Sequence, residues 1–160
     1  MQHTIQTAFS STLLTHIYPH STIQISLHVL AQDGALLAAC INAATLALVD
    51  AGVPMYDYLA ACTAGSTSAS ATNTAAAAPG VVQDVEDPLL DLNGLEEQEL
   101  PFLTVGTLGA SEKVSVLVME TRVHASKIEE MLAVSVDGCK RIREILDEVI
   151  RAHGKSIAAG

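Results

Sequence analysis

The sequence has 160 residues, 49% of them hydrophobic, which is enough for one domain with a hydrophobic core. Eight lysines and arginines against eighteen acidic residues give a formal net charge of −10, which argues against non-specific binding to nucleic acid or to an anionic membrane. Aromatic residues make up only 3% and tryptophan is absent, so no platform for stacking single-stranded bases is evident.

The basic residues are unevenly distributed, since all eight lie between Lys113 and Lys155. A protein that holds polyanions needs fixed cations at the contact points, and the long stretch before Lys113 offers none. The N-terminus lacks the basic and apolar regions of a signal peptide, and the uncharged apolar stretch Gly34–Val49 is too short for a membrane span. We therefore expect an intracellular protein.

Three elements are predicted in the first third of the chain. The spacing of apolar residues predicts a helix over Thr4–Leu14. Thr22–Leu30 alternates strictly between apolar and polar residues, which predicts a half-buried β-strand. After a turn at Asp33 and Gly34, the segment Ala35–Asp50 is apolar nearly all round, which predicts a buried helix.

The middle of the chain contains two short apolar segments separated by a stretch of low complexity. Tyr58–Ala64 and Leu89–Leu92 are predicted as short strands. Ser66–Ala78 consists mainly of serine, alanine and threonine, a composition that cannot bury enough apolar area to offset the entropy of ordering. We expect a disordered loop insertion over about residues 66–85.

The last third predicts a hairpin and a long helix. Phe102–Leu108 and Val114–Glu120 flank a short turn and are predicted as paired strands. A capping-box pattern at Ser126 opens an amphipathic helix to Ile150, in which Gly138 predicts a close packing contact. This order of elements predicts a single α/β (α+β) domain over residues 1–160, with helices packed on a mixed sheet.

The cysteine and histidine residues give little support for a metal or redox site. Cys40, Cys62 and Cys139 are far apart and form no C-x-x-C pair, so we expect buried free thiols rather than a zinc site or disulfides. His16 and His20 have a metal-ligand spacing only on a helix, which the proline between them disfavours. No cofactor is expected.

Several of the basic residues lie on the predicted final helix. We expect them to pair with acidic residues of the same helix rather than to contact RNA, with Asp147 and Arg151 spaced as an i,i+4 pair. The arginines are Arg141, Arg143 and Arg151, and the acidic residues are Glu144, Asp147 and Glu148.

Two blocks of sequence resemble a known family. The first runs from Tyr18 and Pro19 through the predicted strand to Ala38–Met55, and the second is Pro88–Asn93 followed by Glu96 and Glu97. They resemble the RNase PH family, and within it the ring subunits of the eukaryotic exosome. The resemblance implies an RNase PH-like fold over nearly the whole chain apart from the low-complexity stretch. It also implies that a substantial N-terminal part of the family chain, which contributes sheet strands and basic residues, has no counterpart here.

The loop before the predicted helix at Ala35–Asp50 departs from the pattern of active family members. Those members carry Gly-Gly-Thr-Arg or Gly-Ser-Arg, in which backbone N–H groups, a hydroxyl and an arginine hold the attacking phosphate. Here the loop is Gly34, Ala35, Leu36, Leu37. Replacing the arginine by leucine removes charge-assisted hydrogen bonds worth about 1.5–3 kcal/mol each. We predict that phosphate does not bind.

A pair of acidic residues corresponds to the family's second motif. Active members carry two acidic residues that support metal-assisted or general-acid chemistry at the phosphodiester. Asp91 matches the first, and Glu97 stands at the second with a longer side chain. We interpret both as vestigial members of a solvated acidic segment, while weak Mg²⁺ binding by the clustered carboxylates remains an alternative.

The resemblance and its departures together predict a function. We expect a non-catalytic structural subunit of the RNA exosome core ring, which supports 3′-to-5′ RNA processing and degradation by guiding RNA to a separate nuclease. The implied partners are other RNase PH-like ring subunits, RNA-binding cap subunits and RNA in the channel, in nucleus, nucleolus and cytoplasm. One alternative is an active phosphorolytic 3′-to-5′ exoribonuclease that uses Asp91 and Glu97. Another is a truncated product with no independent role.

Overall fold

The computed structural model describes residues 1–67, 88–109, 113–121, 123 and 125–159. The predicted disordered insertion at about 66–85 therefore lies almost wholly outside the described residues. The helices are α1 (Gln2–Thr12), α2 (Leu36–Asp50), α3 (Glu96–Glu99) and α4 (Ala125–Ala159), and a 3₁₀ turn covers Thr15–Ile17. The strands are β1 (Leu59–Ser66), β2 (Pro88–Leu90), β3 (Phe102–Leu108) and β4 (Val114–Met119).

The four strands form one sheet in the order β2-β1-β3-β4, and every pair is antiparallel. Strand β1 is central: it pairs with β3 from Leu59↔Leu108 to Gly65↔Phe102 and with β2 on its other edge. All eight residues of β1 are buried, because helices cover both faces of the sheet at this strand.

Two apolar clusters hold the layers together, one on each face of the sheet. Phe9 of α1, Ile41 of α2 and Leu59 of β1 belong to the first cluster, which also includes Val116 of β4. Leu103 of β3 and Met131 of α4 belong to the second. The predicted α+β fold with helices packed on a sheet is confirmed, and the described part of the sheet is antiparallel throughout.

Helix α4 is longer than the sequence pattern predicts, since it begins at Ala125 and continues to Ala159 rather than ending at Ile150. The position of α4 over the sheet explains why residue 138 is a glycine. A Cβ atom at Gly138 would lie 2.8 Å from the Sγ of Cys62 on β1, so a side chain there would force the helix away from the strand. The predicted close contact at this glycine is confirmed. Among the described residues, every helix is too short or too polar to span a lipid bilayer.

The prediction of a paired strand over Thr22–Leu30 is wrong. The segment has no assigned helix or strand, and its backbone groups form no hydrogen bonds in the described part of the chain. Ile23 and Ile25 pack against the first cluster, whereas Val29 is 54% exposed and Leu30 is 98% exposed. The alternation correctly indicates that Ile23 and Ile25 face the core, whereas Leu27 and Val29 are exposed. A β-strand also needs a neighbouring strand.

Candidate functional site

The turn that leads into α2 is closed against a second loop. Gly34 has φ +87° and Ala35 has φ +48°, both in the left-handed region. A Cβ atom at Gly34 would collide with the carbonyl oxygen of Leu92 and with the backbone of Asn93. The two loops that carry the resemblance to a phosphate-dependent enzyme therefore meet backbone to backbone, and a glycine is required at this contact.

The side chains at the predicted phosphate positions face the protein interior. Leu36 and Leu37 are half-buried and pack against the apolar cluster between α1, α2 and the sheet. No charged residue occurs in α2 before its last residue, Asp50. Neither Leu36 nor Leu37 therefore supplies the hydroxyl or the cation that active members of the resembled family carry at these two positions.

Glu97 contributes a carboxylate to the start of α2. Its Oε1 accepts a hydrogen bond of 2.7 Å from the backbone N–H of Ala35, the N-cap residue, which has no side-chain cap of its own. In the same contact region, Asp33 Oδ1 accepts a 3.1 Å hydrogen bond from the N–H of Gly94. The positive end of the helix dipole is thus already faced by an anion of the chain itself.

The short helix α3 positions Glu97, and sequence reasoning missed this helix. Asn93 Oδ1 accepts hydrogen bonds from the N–H groups of Leu95 and Glu96, and Glu96 Oε2 accepts one from the N–H of Asn93. This reciprocal arrangement is a capping box built on asparagine. The pattern Asn93-Gly94-Leu95-Glu96 could have revealed it, although four residues are too few to show helical periodicity.

Asp91 lies in different surroundings from Glu97. It has φ +59°, and its N–H donates to the carbonyl of Thr63 at 2.8 Å. Its side chain is exposed and borders an open, mostly apolar cleft of about 410 Å³ between α2 and α4, which Glu97 does not line. Asp91 therefore borders a cleft that Ala35 also lines, whereas Glu97 contacts the backbone N–H of Ala35.

Arg141 of α4 borders the same cleft as Asp91, a placement that the sequence did not indicate. Arg141 forms no salt bridge with the described residues. Arg151 pairs with Asp147 at 2.6 Å, as predicted, whereas Arg143 reaches Asp57 at 3.7 Å instead of an acidic residue of its own helix. The sequence alone could not place Arg141 at this cleft, because its position depends on how α4 crosses the sheet.

The cysteines are buried free thiols, as predicted. Burial, with smaller contributions from the nearby Cys139 and Asp91, raises the pKa of Cys62 from 9.0 to about 11. Burial also raises the pKa of Cys139. Both thiols therefore stay protonated at neutral pH and are poor nucleophiles.

His16, His20 and His153 do not line the cleft that Asp91 borders. His16 lies in the 3₁₀ turn, His20 follows it with φ +64°, and both are exposed. His153 of α4 contacts Asp50 at 2.8 Å. The described part of the chain contains no group of three or more histidine, cysteine or acidic side chains that could hold a metal ion.

Comparison with known proteins gives two family matches, one after the other along the chain. Residues 1–54 match domain 1 of the 3′ exoribonuclease family (RNase PH), and residues 73–138 match domain 2. The crystal structure of rice (Oryza sativa) Rrp46 has a TM-score of 0.75 and 23% identity, covering 93% of this chain and 63% of that one, which supports the fold alone.

Curated relatives match along nearly the whole chain. The exosome complex component SKI6 of Saccharomyces cerevisiae is 34% identical over 155 residues, and ski6 of Schizosaccharomyces pombe is 37% identical. The RRP41 homolog of Arabidopsis thaliana is 38% identical. These matches cover 96–97% of this chain but only 56–57% of each relative. The chain belongs to the 3′ exoribonuclease (RNase PH) family and spans somewhat more than half the length of these relatives.

Proposed function

We propose that this chain is a non-catalytic structural subunit of the RNA exosome core ring. In this role it supports 3′-to-5′ RNA processing and degradation by guiding RNA to a separate nuclease. Membership of the 3′ exoribonuclease family supports the proposal, as do the relatives named exosome complex components. Those relatives are considerably longer than this chain. That this chain also assembles into an exosome is therefore part of the proposal.

The observation that carries the proposal is the arrangement of residues at the start of α2. A phosphate dianion placed there would meet the carboxylate of Glu97 on the N–H of Ala35, and it would find leucine where the family pattern has arginine. Each missing charge-assisted hydrogen bond is worth about 1.5–3 kcal/mol. Phosphorolysis needs bound phosphate as the nucleophile, so this arrangement favours a structural role over a catalytic one.

The proposed partners are other RNase PH-like ring subunits, RNA-binding cap subunits and RNA that passes through the assembled channel. With a net charge of −10, this chain depends on cations of its neighbours to hold RNA. The edge strand β4 offers a surface for such neighbours, since Leu117 is 55% exposed and Met119 is 40% exposed. We expect the assembled complex in nucleus, nucleolus and cytoplasm.

The test is a phosphorolysis assay on a reconstituted ring that contains this chain. RNA is incubated with and without inorganic phosphate, and released nucleoside diphosphates are separated by chromatography, with an active phosphorolytic enzyme as positive control. We expect no phosphate-dependent release, and the same result for Asp91→Ala. Phosphate-dependent release that disappears in Asp91→Ala would refute the non-catalytic role.

One observation favours the alternative of an active phosphorolytic exoribonuclease. Arg141 and Asp91 border the same cleft, so a cation and a carboxylate are available together. If the alternative holds, Arg141→Ala will abolish phosphate-dependent release in the same assay. Arg151→Ala is the matched control, because Arg151 lies on the same helix, pairs with Asp147 and does not line the cleft. Under the main proposal neither variant changes the result.

A further inference from the structure

Side chains of α2, rather than a neighbouring strand, occupy part of one edge of β1. Among the described residues, β2 pairs with β1 only at positions 64–66. Before that point, Asn42 Nδ2 donates a hydrogen bond of 2.9 Å to the carbonyl oxygen of Ala61, and the N–H of Ala61 donates one of 2.8 Å to Asn42 Oδ1. A single side-chain amide therefore takes both backbone groups of a strand residue, as a paired strand does in a regular sheet.

A second residue of α2 shows how the helix runs along the strand. The hydroxyl of Thr45 donates a hydrogen bond of 2.7 Å to the carbonyl oxygen of Leu59. Asn42 and Thr45 are three positions apart and therefore lie on one side of the helix. The later helix residue contacts the earlier strand residue, so α2 runs antiparallel to β1 and its first turn points toward Thr63.

The turn that carries Asp91 is attached to the same strand. The N–H of Asp91 donates a hydrogen bond of 2.8 Å to the carbonyl oxygen of Thr63. Thr63 lies two residues beyond Ala61, which is about 6.6 Å further along a β-strand. Ala35, Asn42 and Asp91 all line the cleft between α2 and α4. Strand β1 is therefore the common support from which the start of α2 and the Asp91 turn reach one cleft.

The contact with Ala61 places a strict demand on the side chain at position 42. A backbone N–H only donates and a carbonyl oxygen only accepts, so the partner must present an acceptor and a donor side by side. The amide of asparagine does so, whereas a leucine of similar size supplies neither group. Ala61 has an exposed fraction of 0%, so loss of the amide leaves two buried backbone groups without a partner.

We propose that Asn42 is a positioning residue of the candidate site. Through Ala61 it fixes how far α2 extends along β1, and so where Ala35 stands relative to Asp91. Ala35 precedes Asn42 by about two helical turns, so a displacement at Asn42 is carried along the helix to the cleft. This inference goes beyond the proposed function and holds whether or not the chain is catalytic.

Two substitutions separate the pairing with Ala61 from the position that this pairing sets. Asn42→Leu keeps a similar volume but removes both hydrogen bonds, whereas Asn42→Gln keeps both groups on a side chain that is one methylene longer. NMR of the isotope-labelled chain reads amide hydrogen exchange and amide resonances at single residues. For Asn42→Leu we expect exchange at Ala61 to become at least about tenfold faster. We also expect the amide resonances of Ala35 and Asp91 to move.

The longer side chain tests position while the pairing is kept. In Asn42→Gln, Ala61 should stay protected, but the resonances of Ala35 and Asp91 should still move because α2 is displaced relative to the strand. This variant decides the matter if Asn42→Leu does not fold. Ala43→Leu is the matched control, because Ala43 is the next residue of α2 and is exposed, and it should leave all three amides unchanged.

Gly109 provides an internal reference for an intact sheet. Its N–H donates a hydrogen bond of 2.8 Å to the carbonyl oxygen of Tyr58, just before β1, and should stay protected in every folded variant. Three results would overturn the proposal: unmoved resonances of Ala35 and Asp91 in Asn42→Leu, unmoved resonances in Asn42→Gln, or equal movement in Ala43→Leu. Each would show that the amide of Asn42 does not set the position of α2 relative to Asp91.

Discussion

Strand β1 and the segment Thr22–Leu30 are both predicted as strands from the sequence, yet they have opposite environments. All eight residues of β1 are buried, and the strand pairs on both edges. Thr22–Leu30 has the clearer alternation of apolar and polar residues but has no pairing partner among the described residues. Alternation therefore indicates which side chains can face inward, whereas membership of a sheet depends on residues that are distant in sequence.

The largest expected effect is on the free energy of unfolding, and it comes from making the same leucine-to-alanine substitution in the buried strand and in the exposed segment. Leu59→Ala in β1 removes a fully buried side chain and should lower the free energy of unfolding by about 2–5 kcal/mol. Leu30→Ala removes the same atoms from a side chain that is 98% exposed and should change it by less than about 0.5 kcal/mol. Urea denaturation followed by circular dichroism measures both. Similar losses in the two variants would show that Leu30 is covered in solution.

Sequence reasoning succeeded where the determining contacts are local. Helices α1, α2 and α4, strands β1 to β4 and the close contact at Gly138 were predicted because propensity, periodicity and turn residues act over a few positions. The loop substitutions at Leu36 and Leu37 could also be seen in the sequence.

The details of the candidate site were less accessible, because its contacts join distant parts of the chain. The hydrogen bond from Ala35 to Glu97 spans 62 residues, and Arg141 reaches the cleft of Asp91 only through the packing of α4. The sequence also could not show whether Thr22–Leu30 pairs with another strand, since an alternating pattern contains no information about whether a neighbouring strand exists. These outcomes depend on tertiary packing rather than on local preference.

The second prediction concerns the side of β1 that α4 covers, where the thiol of Cys62 lies. Its pKa is raised to about 11 from 9.0 chiefly by burial, so between these pH values the unfolded chain binds fewer protons than the folded one. The free energy of unfolding should therefore be fully retained below about pH 9 and fall toward pH 11, by up to about 2 kcal/mol from this group. Urea denaturation at several pH values measures the slope.

Cys62→Ala is the control for this prediction, because it removes the titrating group while lysine and tyrosine residues continue to titrate. The variant should lose stability less steeply over the same pH range. A slope identical to that of the unmodified chain would show that the Cys62 thiol ionises as readily in the folded state as in the unfolded one, and that α4 does not exclude water from this side of β1.

A smaller effect is expected where the two loops of the candidate site meet. Glu97→Ala removes the acceptor for the N–H of Ala35 and the anion at the start of α2, and should cost about 1 kcal/mol. Glu97→Gln retains an acceptor but not the charge and should cost less. Glu99→Ala lies on the same helix α3 and is exposed, so it serves as the matched control. Equal stability of Glu97→Ala and Glu99→Ala would mean that this contact does not hold the loops together.

The smallest change in folding stability is expected for Leu30→Lys, although its effect on association should be clear. Leu30 is 98% exposed, so a charge there costs the fold less than about 0.5 kcal/mol. The same charge opposes strand addition at the unpaired segment, because free strand edges in natural proteins are protected by lysine. Size-exclusion chromatography with light scattering should show concentration-dependent association of the unmodified chain and much less in the variant. A compact, monodisperse monomer of the unmodified chain at high concentration would contradict this, since the uncovered segment would then carry no tendency to pair.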